Sequence, residues 1–176
     1  MKTIKRICFL LVAFMAVVSC STARQVAADK DTLQWRYEVE PVAGQARQGH
    51  ILVKVWSYSK DKNIAITQAG KNAVHGVLFK GVAALMDATN RLPAQKPIIT
   101  EVGVEERNQD FFKTFFAEGG KYQKFIQFVN NGIPASGDIL NVGKEYKIGV
   151  RVSVAKDALR KEMEADGIIG KLGSGF

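Results

Sequence analysis

Two early segments of the chain alternate apolar and polar residues, which is the pattern of a strand with one buried face. The first covers residues 33–39, and the second, richer in β-branched and aromatic side chains, covers residues 51–58. Proline and glycine residues lie between them. We therefore predict two strands joined by a loop.

After the second strand the alternation stops and a helical period begins. Small side chains recur every fourth residue and form one ridge, which lets a helix lie close to a sheet. These residues are Ala65, Ala69 and Ala73. We predict a helix over residues 61–76, capped at its start by Asp61 or Asn63. Glycines weaken its end, so residues 77–79 are either part of the helix end or an extended segment.

The second half of the chain predicts two further helices and two further strands. An insertion or long loop covers residues 82–107, with one short strand at Ile98–Val102. Four phenylalanines at helical spacing then predict a helix that stops at a pair of glycines. Strands are predicted over residues 122–129 and 146–154, and a last helix over residues 157–165.

The order of these elements is strand, helix, insertion, helix, strand, strand, helix. It predicts an α+β fold with a single antiparallel or mixed sheet and helices packed on one face. We assign this domain to residues 33–168 and a glycine-rich tail to residues 169–176. Residues 20–32 are small and polar and are predicted to form a flexible tether.

The N-terminus has the pattern of an export signal: three basic residues precede an unbroken apolar run, Ile7–Val18. A membrane-spanning helix needs about 20 apolar residues, so this run is too short to be one. The run is followed by Ser19 and Cys20, and the whole pattern resembles the lipobox of bacterial lipoproteins. The resemblance implies that residues 1–19 are removed and that a lipid on Cys20 anchors the protein to a membrane. The alternative is an ordinary secretory signal cut after Ala23 or Ala28.

Composition narrows the chemistry of the mature chain. Removing 19 residues from 176 leaves 157, enough to bury a sizeable core. The two cysteines are Cys8, inside the signal, and Cys20, so the mature domain has no thiol for a disulfide, a metal or a nucleophile. Its charge is about +5, from 22 basic and 17 acidic residues, and it is spread along the chain. Without a basic stripe, we expect no nucleic-acid partner.

A second resemblance lies in the order of the predicted elements. A strand runs into an alanine-ridged helix, and much later a hairpin leads into a short helix. They include residues Ala65–Val74 and Val150–Arg160. The arrangement resembles the strand–helix–strand–strand domains of envelope lipoproteins: the curli-secretion CsgG-like group, the penicillin-binding-protein activator LpoB-like group and the flagellar FlgT-like group. It covers about residues 50–80 and 121–168, and the insertion at 82–107 departs from it. It implies an envelope location and protein partners, without enzymatic activity, although a fold does not fix a function.

The residues that could support catalysis or metal binding are sparse. Zinc needs three or four protein ligands, usually histidine or cysteine, and the chain has only two histidines, His50 and His75. A serine–histidine–acid triad would need one of four serines near a histidine, and no strained Gly-x-Ser-x-Gly turn leads into a helix. These serines are Ser57, Ser59, Ser136 and Ser153. The densest acids are interpreted as a solvated loop and a helix start, or alternatively as carboxylates that hydrolyse cell-wall glycosides. They are Glu101, Glu105, Glu106 and Asp110.

The aromatic residues have two interpretations, as core or as an exposed patch that binds a partner. The candidates for partner binding are Trp35, Trp56, Tyr58, Phe111, Phe112, Phe115 and Phe116. We therefore expect a lipid-anchored, non-catalytic interaction or assembly factor of the cell envelope, facing the periplasm from the outer membrane. The alternatives are a carrier of a small apolar ligand or cell-wall fragment, and a carboxylate-dependent cell-wall hydrolase. We predict no cofactor and no metal, and the sequence indicates no particular oligomeric state.

Overall fold

The computed structural model describes residues 35–44 and 46–171. The chain enters its main sheet through β1 (Tyr37–Pro41) and β2 (Ile51–Ser59), which pair antiparallel. The predicted strand at 51–58 is confirmed. The observed first strand begins at Tyr37, and residues 33 and 34 of the predicted strand lie outside the described residues. It ends at a proline, because proline has no N–H to extend the ladder.

Helix α1 (Lys62–His75) confirms the predicted helix. The Asp61 carboxylate accepts a hydrogen bond of 2.8 Å from the backbone N–H of Asn63, so Asp61 is the cap. The three ridge alanines are fully buried where the helix packs on the sheet. Beyond it, residues 76–80 form a π-helical turn and not an extended segment. Gly76 allows this turn to lie against β1, because a Cβ there would come within 2.7 Å of Val39 Cγ2.

The insertion contains more regular structure than predicted. Its elements are the hairpin β3 (Leu85–Met86) and β4 (Arg91–Leu92), and the short helix α2 (Val104–Arg107). The predicted strand at Ile98–Val102 is wrong. The backbone N–H groups of Ile98 and Ile99 instead donate to the carbonyls of Val77 and Leu78, which ties the insertion to the end of α1. Helix α3 (Gln109–Phe115) confirms the predicted phenylalanine-rich helix.

The C-terminal third supplies the rest of the sheet: β5 (Ile126–Phe128), β6 (Ile139–Val142) and β7 (Glu145–Val154), followed by helix α4 (Lys156–Ala165). The predictions for β7 and α4 are confirmed. The strand predicted over 122–129 is wrong for its first half, because residues 121–125 form a 3₁₀-helix. Tyr122 and Phe125 are both buried, and a spacing of three puts them on one side of such a helix.

The strand order is β1-β2-β7-β5, with β6 also paired to β7, and every pair is antiparallel. The sheet and its packed helices confirm the predicted α+β class. The inward residues of the two central strands are fully buried under α1, and they include Val53, Val55, Ile148, Val150 and Val152. No helix in the described part of the chain is long and apolar enough to cross a bilayer. The signal, Cys20, the tether and the end of the tail lie outside the described residues.

Candidate functional site

Strand β6 forms an edge of the sheet that no other described strand covers, since it pairs with β7 along one side only. All four of its residues are exposed. The apolar Ile139, Leu140 and Val142 have 38%, 43% and 47% of their surface open to solvent. Ile133, in the connection that leads to the strand, is also exposed. The backbone edge and the apolar side chains of β6 are thus both accessible to a partner.

The opposite edge of the sheet, β1, is protected. It carries the exposed carboxylates of Glu38 and Glu40, and it ends at Pro41. A hydrogen bond from Lys147, 2.8 Å long, is the main cause of the lowered pKa of the Glu38 carboxyl, which keeps this charge in place. Charges and prolines prevent strand edges from pairing with other chains. β6 reads ILNV and has neither.

The sheet face turned away from α1 is organised around Trp56. Lys54 and Lys147 place their ammonium groups 5.3 and 5.2 Å from the centre of its ring, within the range of cation–π attraction. The ring lies over Gly149 of β7, where a Cβ would come within 3.0 Å of it. Trp56 is itself buried, and its Nε1 has no hydrogen-bond partner among the described residues. It packs against the strand below and is not an open surface.

The other predicted partner-binding aromatics lie mostly within the fold. Three of them, Phe112, Phe115 and Phe116, are buried in the core. Phe111 is half-buried and stacks on Phe115 with ring centres 5.6 Å apart. Trp35 and Tyr58 are also half-buried. These rings contribute to packing, as the core interpretation holds, and partner binding through any of them stays a prediction.

Three side chains that the sequence did not connect form a buried hydrogen-bonded chain. The Tyr37 hydroxyl lies 2.5 Å from His75 Nδ1, and His75 Nε2 lies 3.1 Å from the Glu105 carboxylate. Tyr37 is 6% exposed and His75 is 4% exposed, so both groups depend on these bonds. Trp35 stacks on the imidazole of His75, with ring centres 3.6 Å apart. These hydrogen bonds connect β1, α1 and the insertion at one point.

The protonation states of the Tyr37 hydroxyl and the His75 imidazole follow from their surroundings. Burial, and secondly the Glu105 carboxylate, raise the pKa of Tyr37, so its hydroxyl keeps its proton and donates to Nδ1. Burial lowers the pKa of His75 more than Glu105 raises it, so the imidazole is neutral and Nε2–H donates to the carboxylate. Lys80 also disfavours a charged His75. Every polar group in this arrangement is satisfied, which is the property of a structural network.

Several residues considered for catalysis and metal binding contact separate partners and do not meet at one site. Glu101 pairs with Arg107, and Glu105 with His75. His50 Nδ1 lies 3.3 Å from the Ser153 hydroxyl, but no carboxylate of the described residues bonds to this histidine to complete a triad. Within residues 35–44 and 46–171, no three His, Cys, Asp or Glu side chains are placed to hold a metal ion.

Comparison of the chain with protein-family models, with curated proteins and with solved structures found no match in any of the three.

Proposed function

We propose that this chain is a lipid-anchored protein of the bacterial cell envelope that has no catalytic role and binds another envelope protein through the open edge of β6. The observation that carries the proposal is the exposed, uncharged β6 edge at one side of a sheet whose other side is protected. The export signal and the lipobox-like Cys20 support the location.

The proposed occupant is an extended segment of a partner protein that adds a strand to the sheet. Backbone hydrogen bonds to an exposed edge supply affinity, and contacts to alternate side chains supply specificity. Leu140 and Val142 lie on the same face of the strand and offer two such apolar contacts. A second copy of the chain is the alternative occupant of the same edge, and the mass of a cross-linked adduct distinguishes it from a different protein.

The experiment places a photo-crosslinking amino acid at Asn141 of β6 and, as the matched control, at Glu40 of β1. Both positions are exposed edge-strand residues of the same sheet. In intact cells we expect one discrete heterologous adduct from position 141 and none from position 40. An adduct of twice the chain's own mass would mean self-association and would overturn the proposal, as would the same adducts from both positions.

A second pair of variants tests the chemistry of the edge. Leu140→Lys puts a charge on β6 and should abolish the adduct formed from position 141. Val102→Lys puts the same charge on an exposed apolar residue outside the sheet and should leave the adduct unchanged. Circular dichroism of both variants checks that the fold is retained. If the adduct survives Leu140→Lys, the apolar side chains of β6 do not bind the partner.

The lipid anchor has its own test, so that its failure is separate from that of the binding surface. Cells fed an alkyne-tagged fatty acid should label the protein, and Cys20→Ala should abolish the label and leave the protein as the uncleaved precursor, which is larger than the mature form. Labelling that persists in Cys20→Ala would refute the anchor. Unlabelled mature protein cut after Ala23 or Ala28 would instead support the ordinary secretory signal.

A further inference from the structure

A groove opens beside β7 where that strand has no partner on one side. β5 pairs with residues 152–154 and β6 with residues 145–148, so residues 149–151 between them face no strand of the described chain on that side. The connection from β5 to β6 bulges over this gap. It encloses a groove of about 380 Å³ together with Gly149 and Arg151.

One wall of the groove is a turn in an uncommon conformation. Asn130, Asn131 and Gly132 have φ angles of 51°, 53° and 77°, three left-handed residues in a row. L-residues adopt this conformation singly and not in runs, because their Cβ crowds the backbone. Both asparagines are exposed and line the groove, so their amides are available to a ligand. Backbone strain of this kind collects at sites that bind ligands.

The charges of the groove leave one cation available. Asp138 is buried, and Lys54 Nζ holds its carboxylate at 2.9 Å, so these two charges satisfy each other. Arg151 is exposed, lines the same groove and forms no ion pair with any residue in the described ranges. A guanidinium presents parallel N–H donors that match a carboxylate.

The remaining wall is apolar and is formed by Val129, Ile133 and Pro134. A single free guanidinium, two side-chain amides and an apolar shelf match the three parts of a peptide's end: the carboxylate, the preceding amide and a side chain. A phosphate carries more charge and is commonly met by more than one cation. We propose that this groove binds the C-terminal carboxylate of a peptide, with Arg151 as the anion-binding residue. This inference goes beyond the proposed function and does not depend on it.

The experiment uses the full chain labelled with fluorotryptophan and followed by fluorine NMR. Trp56 lies on Gly149, which lines the groove, whereas Trp35 stacks on His75 and serves as the internal control. The probe is N-acetyl-alanyl-alanine, compared with its C-terminal amide, with glucuronate and with inorganic phosphate. We expect only the free peptide acid to shift the Trp56 signal, to saturate, and to leave the Trp35 signal in place.

Two variants decide whether the guanidinium is responsible. Arg151→Gln should weaken peptide binding about tenfold or more, the usual loss for a charged hydrogen-bonded pair. Arg160→Gln removes the same charge from α4, where Arg160 pairs with Glu164, and should leave binding unchanged. Equal binding of the amide, equal binding by Arg151→Gln, or an equal shift of the Trp56 signal with glucuronate or phosphate would each overturn the assignment. Absence of any saturable shift would overturn it as well.

Discussion

Replacing Tyr37 with phenylalanine removes one hydroxyl group and leaves the aromatic ring in place. In the folded protein that hydroxyl donates a 2.5 Å hydrogen bond to His75 Nδ1, and both residues are buried. The variant leaves the Nδ1 lone pair without a partner and out of reach of water. The free energy of unfolding should therefore fall by about 1–3 kcal/mol, the cost of an unsatisfied buried polar group.

The assay is urea unfolding at neutral pH followed by circular dichroism, with Tyr58→Phe as the matched control. Tyr58 loses the same hydroxyl, but its bond to Glu38 is exposed, so its change should lie within about 0.5 kcal/mol. The m-value should stay constant in both, since neither change alters the surface exposed on unfolding. If Tyr37→Phe costs no more than Tyr58→Phe, the buried chain does not stabilise the fold as argued.

Two further predictions concern pH and packing. Burial lowers the pKa of His75, so the unfolded protein binds a proton at this imidazole more readily than the folded protein does. The free energy of unfolding should therefore fall as the pH drops below about 6.5, by up to about 1.4 kcal/mol per pH unit. His75→Gln should remove most of this slope between about pH 6.5 and 5, whereas His50→Gln should retain it; equal slopes in the two variants would contradict the assignment. Gly149→Ala forces a methyl group against the Trp56 ring and should destabilise the fold by about 1–3 kcal/mol, measured by thermal unfolding. Gly137→Ala, with no atom near its added Cβ, should change little, and a comparable loss there would refute the packing argument.

The central elements could be predicted because their local pattern and their final burial agree. β2 and β7 bury their inward residues at every second position, and α1 buries alanines at every fourth, so both periods are visible in the sequence, although residues 68–75 of α1 are buried without interruption. The strand predicted at 122–129 failed because alternating residues fit a strand, while the burial of Tyr122 and Phe125 follows a spacing of three. Local sequence cannot separate these two interpretations when the segment is short.

The candidate site was far less predictable. β6 has only four residues, none of them buried, so no alternating pattern marked it as a strand. Tyr37, His75 and Glu105 lie on separate elements, and nothing local to any of them indicates the other two. The groove exists because two strands share one edge of β7 and leave a gap between them, which is a property of topology. The sequence shows that the phenylalanine-rich helix is apolar, but only its surroundings determine that two of its rings, and Phe116 just beyond its end, are buried.

The position of β7 in the sheet sets when the fold can form. This strand comes from the last part of the chain, yet its residues 146–154 pair with β2, so that Val55 lies opposite Val150. Such distant pairing carries a large loop-closure cost and slows folding. A chain made or exported from its N-terminus will hold β2 and the alanine face of α1 without their partner until nearly all of it has emerged. Folding will therefore be a late, cooperative event, and a truncation that removes β7 will leave no stable core behind.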